Sequence, residues 1–128
     1  MNHSHFPKLF EPGRIGSLEI KNRLVMPPMA TNYATKDGQV TDRQIEYYAE
    51  RAKGGVGLVI VEVSCVDVPV GKGFAGQICI DDDKFIPGLS KLAKAIKRHG
   101  ARAAIQLHHA GRQASSEISA SPNRFTSS

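Results

Sequence analysis

The sequence has no tryptophan and only two cysteines, Cys65 and Cys79, among its 128 residues. Two cysteines form neither a disulfide framework nor the paired spacing of a structural metal site. We therefore expect reduced thiols, a cytoplasmic location and no bound metal. No apolar run is long enough to cross a bilayer, because the longest covers only residues 56–61. A basic and then apolar leader after Met1 is also lacking, which argues against a signal peptide.

Runs of like charge are absent as well. The chain carries 17 lysines and arginines against 12 aspartates and glutamates, which gives a net charge of +5 with neutral histidines. Residues of the two signs are interleaved along the chain, so no basic patch marks a nucleic-acid or membrane partner. The composition is typical of an ordinary globular surface, and its positive charge is compatible with an anionic ligand.

Short apolar segments alternate with amphipathic segments along the chain. Residues 1–8 are expected to be a flexible tail. Residues 9–21 are expected to form a hairpin, because turn residues separate two short apolar patches. The first strand of the main domain, residues 24–26, should end at Pro27-Pro28, since proline cannot donate a ladder hydrogen bond.

Two helices and two further strands are predicted after this strand. Thr41 and Gln44 have the spacing of a capping box, which marks the start of the first helix. Both strands are largely apolar, and the first is apolar on both faces, as is typical of parallel strands covered by helices. In chain order the elements are a helix from residue 41 that stops at Gly54, a strand at 56–63, a helix led by residues 81–83 that stops at Gly100, and a strand at 101–107.

This alternation of strands and helices predicts an α/β fold with a parallel sheet and right-handed crossovers. A (β/α)8 TIM barrel and a doubly wound sheet share the local pattern, and the spacing alone leaves both open. A whole barrel requires about 250 residues. In a barrel, residues 9–128 would therefore form a truncated N-terminal portion of one domain, with about three β/α units and a hairpin.

Ligands of such folds lie at the carboxyl ends of the strands, which here are residues 27–31, 62–65 and 106–112. Gln106 has two interpretations, because its carboxamide lies near the end of an apolar strand. It is either a buried amide satisfied by backbone groups, or a donor and acceptor pair that binds the edge of a planar ring. Residues 27–29 are either a strand stop with a core methionine, or a rigid segment along such a ring.

The remaining polar residues at these ends have mainly structural interpretations. His108 and His109 are adjacent in a strand, so their side chains point to opposite faces and do not form a metal pair. Glu62 ends an apolar strand and requires a partner or solvent. Arg112 and Arg23 are the structural candidates for that partner.

Taken together, these segments resemble the start of the old yellow enzyme family of NADH:flavin oxidoreductases. The resemblance covers nearly all of residues 8–118, and the most similar branch contains the bacterial 2,4-dienoyl-CoA, enoate and bile-acid reductases. The combination is specific, although each segment alone is weak. The matching segments are residues 9–16, 21–29, 41–42, 47–48, 51–58, 106–107 and 109–112.

The resemblance implies a (β/α)8 barrel with non-covalent FMN, which NAD(P)H reduces and which passes hydride to an activated C=C bond of a small enone or enoyl-type substrate. It implies that Gln106 binds the pyrimidine edge of the flavin and that Val63 approaches the ring. Ala30 stands where relatives often carry Cys or Thr. The flavin-contacting residues implied for the first strand are Pro27, Pro28, Met29 and Ala30.

The family's substrate-binding pair, proton donor and FMN phosphate site would lie beyond residue 128, as would any 4Fe-4S cluster and FAD. No catalytic residue is therefore assigned, and the chain alone is expected to be an inactive fragment. Two alternatives stay open. One is another barrel enzyme, such as an aldolase or a dihydroorotate-type flavoprotein, although no strand end carries the lysine of an aldolase. The other is a non-enzymatic module that binds a partner through an open sheet edge.

Overall fold

The computed structural model describes residues 5–114 and residue 118. A helical turn and a hairpin come first, and strands then alternate with helices. The elements are α1 (Pro7–Phe10), β1 (Gly13–Ile15), β2 (Leu18–Ile20), β3 (Val25–Met26), α2 (Asp42–Lys53), β4 (Leu58–Cys65), β5 (Ile78–Cys79), α3 (Ile86–Lys97) and β6 (Arg102–His108), with 3-10 turns at Asp83–Phe85 and Gly111–Gln113.

The first two strands, β1 and β2, form the predicted hairpin. They are antiparallel, with Gly13 opposite Ile20. Gly16 lies in the turn with φ at 58°, a left-handed conformation that glycine adopts without steric cost. The helical turn α1 begins inside the segment of residues 1–8 that is expected to be a tail. The flexibility of that segment stays a prediction.

The main sheet is parallel and is centred on β4. β3 pairs with the start of β4, β6 pairs along its length, and β5 pairs only with its last two residues. The predicted parallel sheet is thus confirmed. The predicted strand at 56–63 begins two residues later, at Leu58, because Gly55 has a left-handed φ of 107° and breaks the extended backbone. β5 lies between the predicted strand at 56–63 and the helix led by residues 81–83, where no element is predicted.

The two long helices, α2 and α3, pack together on one face of this sheet. Thr41 caps α2, since its Oγ1 accepts the N–H of Gln44 at 3.3 Å. The predicted capping box is only half formed, because the Gln44 carboxamide donates to Glu62 at 2.7 Å. No helix in the described part of the chain is long and apolar enough to cross a membrane. The core includes Met26, Tyr48, Ala52, Val59, Val61, Ile78, Leu92 and Ile96.

The two cysteines face each other where β5 pairs with β4. Cys65 and Cys79 are Cα partners, both are free, and both are fully buried beside Phe85. Burial raises the pKa of the Cys65 thiol, and it raises the pKa of Cys79 from 9.0 to about 11. The thiolate is the reactive form of cysteine. Burial therefore protects both sulfurs in two ways, because it keeps reagents away from them and because it disfavours their ionisation.

We expect neither thiol of the native chain to react with DTNB at about pH 8, and both to react in urea. The neutral Cys79 thiol stabilises the fold fully below pH 9.0, and this contribution is lost as the pH rises toward 11. In Cys79→Ala, the free energy of unfolding measured by urea titration should therefore fall less between pH 9.0 and 11 than in the wild-type chain. Rapid labelling of the native protein would contradict this account.

Candidate functional site

The carboxyl ends of β3, β4 and β6 lie at one edge of the sheet because the three strands are parallel. Near this edge the pairing of β4 with β6 is irregular. Val61 pairs with Ile105, and pairing resumes only at Ser64. Residues 62–63 of β4 therefore lie opposite the single residue Gln106, which defines a β-bulge of the kind that re-aims side chains beside active sites.

The orientation of Gln106 follows from the alternation of side chains along β6. Ala103 packs against the same core as Leu89 of α3, so the alternation along β6 places Gln106, three residues later, on the other face of the sheet, away from α3. Its Oε1 is buried and has no hydrogen-bond partner among the described residues. The interpretation of an amide fully satisfied by backbone groups is therefore wrong for this oxygen.

The segment that follows β3 leaves the sheet at once. β3 pairs over only two residues, which confirms the predicted strand stop at the prolines. Met29 has 48% of its surface exposed, so the alternative of a core methionine is wrong in the described structure. Pro27 and Ala30 are also exposed and Pro28 is half-buried, which places apolar surface at the ends of the strands.

A buried carboxylate, that of Glu62, lies at the same edge. Its Oε2 accepts the backbone N–H of Thr31 at 2.7 Å. Its Oε1 accepts the Thr31 hydroxyl at 2.7 Å, the Gln44 carboxamide at 2.7 Å and the Tyr48 hydroxyl at 3.2 Å. The fully buried side chain thus connects the segment after β3, the first turns of α2 and the bulge of β4.

Neither arginine proposed as a partner of Glu62 pairs with it in the described structure. Arg23 pairs with Glu11 at 3.5 Å, and Arg112 is exposed in the turn after β6. Neutral donors take the place of a cation. Burial, together with the Glu62 charge, raises the pKa of Tyr48 well above the usual range of a phenol, so its hydroxyl keeps the proton that it donates.

The two adjacent histidines have separate partners. His108 Nδ1 lies 3.1 Å from Nε2 of Gln77, whose Oε1 accepts the N–H of Gly73 at 2.8 Å. His109 Nε2 lies 3.3 Å from a carboxylate oxygen of Asp67. Within the part of the chain that the structure describes, no group of three or more His, Cys, Asp or Glu residues could hold a metal ion.

Sequence reasoning places Thr31 in a strand-end segment, but it does not connect Thr31, Gln44 or Tyr48 with Glu62. Gln44 is predicted only as half of a capping box, and Tyr48 only as part of a segment that matches the family. Their separation of four residues puts them on one face of α2, and a buried polar pair on an otherwise apolar face was the available signal. The sequence did not indicate which carboxylate this face would meet.

Comparison with known proteins gives a consistent assignment. The family described as NADH:flavin oxidoreductase / NADH oxidase matches residues 8–128. An NADH oxidase of Thermoanaerobacter brockii is 56% identical over 110 residues, which are 86% of this chain and 17% of that protein. A 2-naphthoyl-CoA reductase complex superposes with a TM-score of 0.84 and 36% identity, over 89% of this chain and 17% of the other.

The old yellow enzyme homologue of Zymomonas mobilis superposes with a TM-score of 0.83 and 33% identity, over 90% of this chain and 32% of the other. These neighbours are (β/α)8 barrels, so the barrel prediction is confirmed and the doubly wound alternative is wrong. β3, β4 and β6 are the first three strands of such a barrel. The chain spans about a sixth of the length of the NADH oxidase that it matches.

The unpaired Oε1 of Gln106 has a testable cost. Gln106→Leu should raise the free energy of unfolding of the ligand-free chain by about 1 kcal/mol, because a buried unpaired acceptor is removed. Gln77→Leu is the matched control and should lower it by about 1–3 kcal/mol, since buried Gln77 uses both ends of its carboxamide. Urea denaturation measures both; equal losses in the two variants would rule out an unsatisfied Gln106.

Proposed function

Because the chain belongs to the NADH:flavin oxidoreductase / NADH oxidase family, we propose that it forms the flavin-binding start of an FMN-dependent oxidoreductase of the ene-reductase type. When bound, FMN takes hydride from NAD(P)H and supplies it to an activated C=C bond. The proposed substrates are small enones or enoyl thioesters. A thioester is supported by the structural neighbour whose name gives 2-naphthoyl-CoA as its ligand.

The observation that carries this proposal is the unpaired acceptor of Gln106. The pyrimidine edge of a flavin presents an N–H between two carbonyls. Gln106 Oε1 would accept from that N–H, and the adjacent Nε2 would donate to a neighbouring carbonyl. A ligand of this chemistry would satisfy the oxygen that the described part of the chain leaves without a partner, so the residues fit the group.

The other proposed contacts come from the same edge. Val63 lies in the bulge beside Gln106, half-buried, and would approach the ring. The apolar segment of Pro27, Pro28, Met29 and Ala30 would lie along the flavin, with its soft thioether against the aromatic surface and without ladder hydrogen bonds to compete. No described residue is assigned as the proton donor to the substrate.

The proposal also concerns the cellular location of the protein, the other cofactors and the activity of the chain by itself. We infer a cytoplasmic location, which the two free thiols support. In the longer relatives, a 4Fe-4S cluster and FAD would belong to segments outside this chain. β6 pairs only with β4 among the described strands and leaves Leu107 65% exposed. This supports the expectation that the 128-residue chain alone lacks activity.

The test places residues 8–114 of this chain into the Thermoanaerobacter brockii NADH oxidase, in place of the matching segment. We expect the chimera to retain FMN. Gln106→Leu should weaken FMN binding by at least about tenfold, the result of losing one or two hydrogen bonds. Flavin fluorescence titration gives the dissociation constants.

Gln113→Leu is the control, because Gln113 is an exposed glutamine in the turn that follows β6. Its FMN affinity should match that of the unsubstituted chimera. An unchanged affinity in Gln106→Leu would refute the assignment of Gln106 to the flavin edge, whereas a chimera that folds without binding flavin would refute the proposed function.

A further inference from the structure

We infer that Glu62 is a positioning residue that fixes the peptide groups of residues 27–31 in the orientation in which they would meet the flavin. This inference rests on the proposed function, because the contact of residues 27–30 with flavin is itself proposed in the preceding subsection. Its structural premise is independent, because the contacts of Glu62 are formed in the chain without a ligand.

The hydrogen-bond directions around Glu62 leave its carboxylate only the role of an acceptor. The Thr31 hydroxyl accepts the N–H of Tyr33 at 3.2 Å, so its own proton is free for Glu62. The Tyr48 hydroxyl accepts the backbone N–H of Glu62 at 2.9 Å and donates back to the carboxylate. Gln44 contributes its NH₂ group. Two oxygens therefore accept four hydrogen bonds, a pattern that an ionised carboxylate satisfies.

The placement of this carboxylate connects it to the proposed flavin contacts. Thr31 directly follows Ala30, and Glu62 directly precedes Val63. The bond from the Thr31 N–H to Oε2 fixes a peptide plane next to the proposed ring contacts of the first strand. A buried charge without a cation is costly to retain, and no cation pairs with Glu62 among the described residues. A purely structural link between β4 and α2 does not require this charge.

Glu62→Gln removes the charge at nearly constant size. It therefore distinguishes a positioning role of Glu62 from a purely structural one. The amide oxygen can replace only one carboxylate oxygen. The amide oxygen should take the position of Oε1, which three donors face. The new NH₂ group then lies in the position of Oε2 and faces the Thr31 N–H, so that two donors meet without an acceptor. Hydrogen exchange of the Thr31 amide in the full chain should then accelerate by at least about tenfold, the expected effect of losing one buried hydrogen bond.

Glu46→Gln is the matched control, because Glu46 is an exposed glutamate on α2. Its Thr31 amide should exchange as in the wild type. Thr31→Val is the second variant, and it carries the test if Glu62→Gln fails to fold. It removes both hydrogen bonds of the Thr31 hydroxyl, so the Tyr33 N–H should lose protection, whereas the Thr31 N–H should keep its protection because Glu62 Oε2 still accepts it. Exchange of Thr31 that is unchanged in a folded Glu62→Gln variant overturns the inference.

The chimera with the complete barrel provides the functional readout. If Glu62 positions residues 27–31 beside bound flavin, Glu62→Gln should weaken FMN binding and shift the flavin midpoint potential to a more positive value. The shift is expected because a nearby negative charge disfavours the added electrons. A merely structural role would lower stability and leave the potential unchanged, and that result overturns the inference. A chimera that holds no flavin refutes the proposed function instead, and the exchange of Thr31 then still decides whether Glu62 holds the segment.

Discussion

The parallel pairing of β4 with β3 and β6 is the constraint on which the rest of the structure depends. It brings the ends of three segments, far apart in sequence, to one edge of one sheet. A single irregularity in this pairing, the bulge at residues 62–63, lies where β4 places two residues opposite the single residue Gln106. Glu62 turns into the hydrogen-bond network with α2, and Val63 remains beside Gln106.

Polar groups at this edge are distributed unequally. Glu62 is surrounded by donors, whereas the side-chain oxygens of Gln106 and Gln44 have no partner among the described residues. The same strand pair therefore contains one saturated site and one unsatisfied site within a few residues. The saturated site holds backbone in place without a ligand, and the unsatisfied site gains when a ligand supplies a donor. This division is what a preorganised binding site requires, since a ligand that must first order its own contacts loses affinity.

Local signals carried most of the fold prediction. The prolines after β3, the cap at Thr41 and the apolar runs of β4 and β6 act over a few residues, and their elements were found within about two residues. β5 was not found because two residues within a glycine-rich loop have no periodicity to detect. The resemblance to a known family, rather than spacing, separated the barrel from the doubly wound sheet.

Long-range polar contacts were predicted less well, for a physical reason. Gln106 could be singled out because an amide in an apolar strand is conspicuous by itself. The partners of Glu62 could not, because electrostatic reasoning seeks a cation, and the donors that replace it are a threonine, a glutamine and a tyrosine 31, 18 and 14 residues away. Several neutral donors can stabilise a buried carboxylate as one arginine would, but they do so only when the fold has already brought them together. A buried acid at a strand end therefore indicates a network whose members only the tertiary structure can identify.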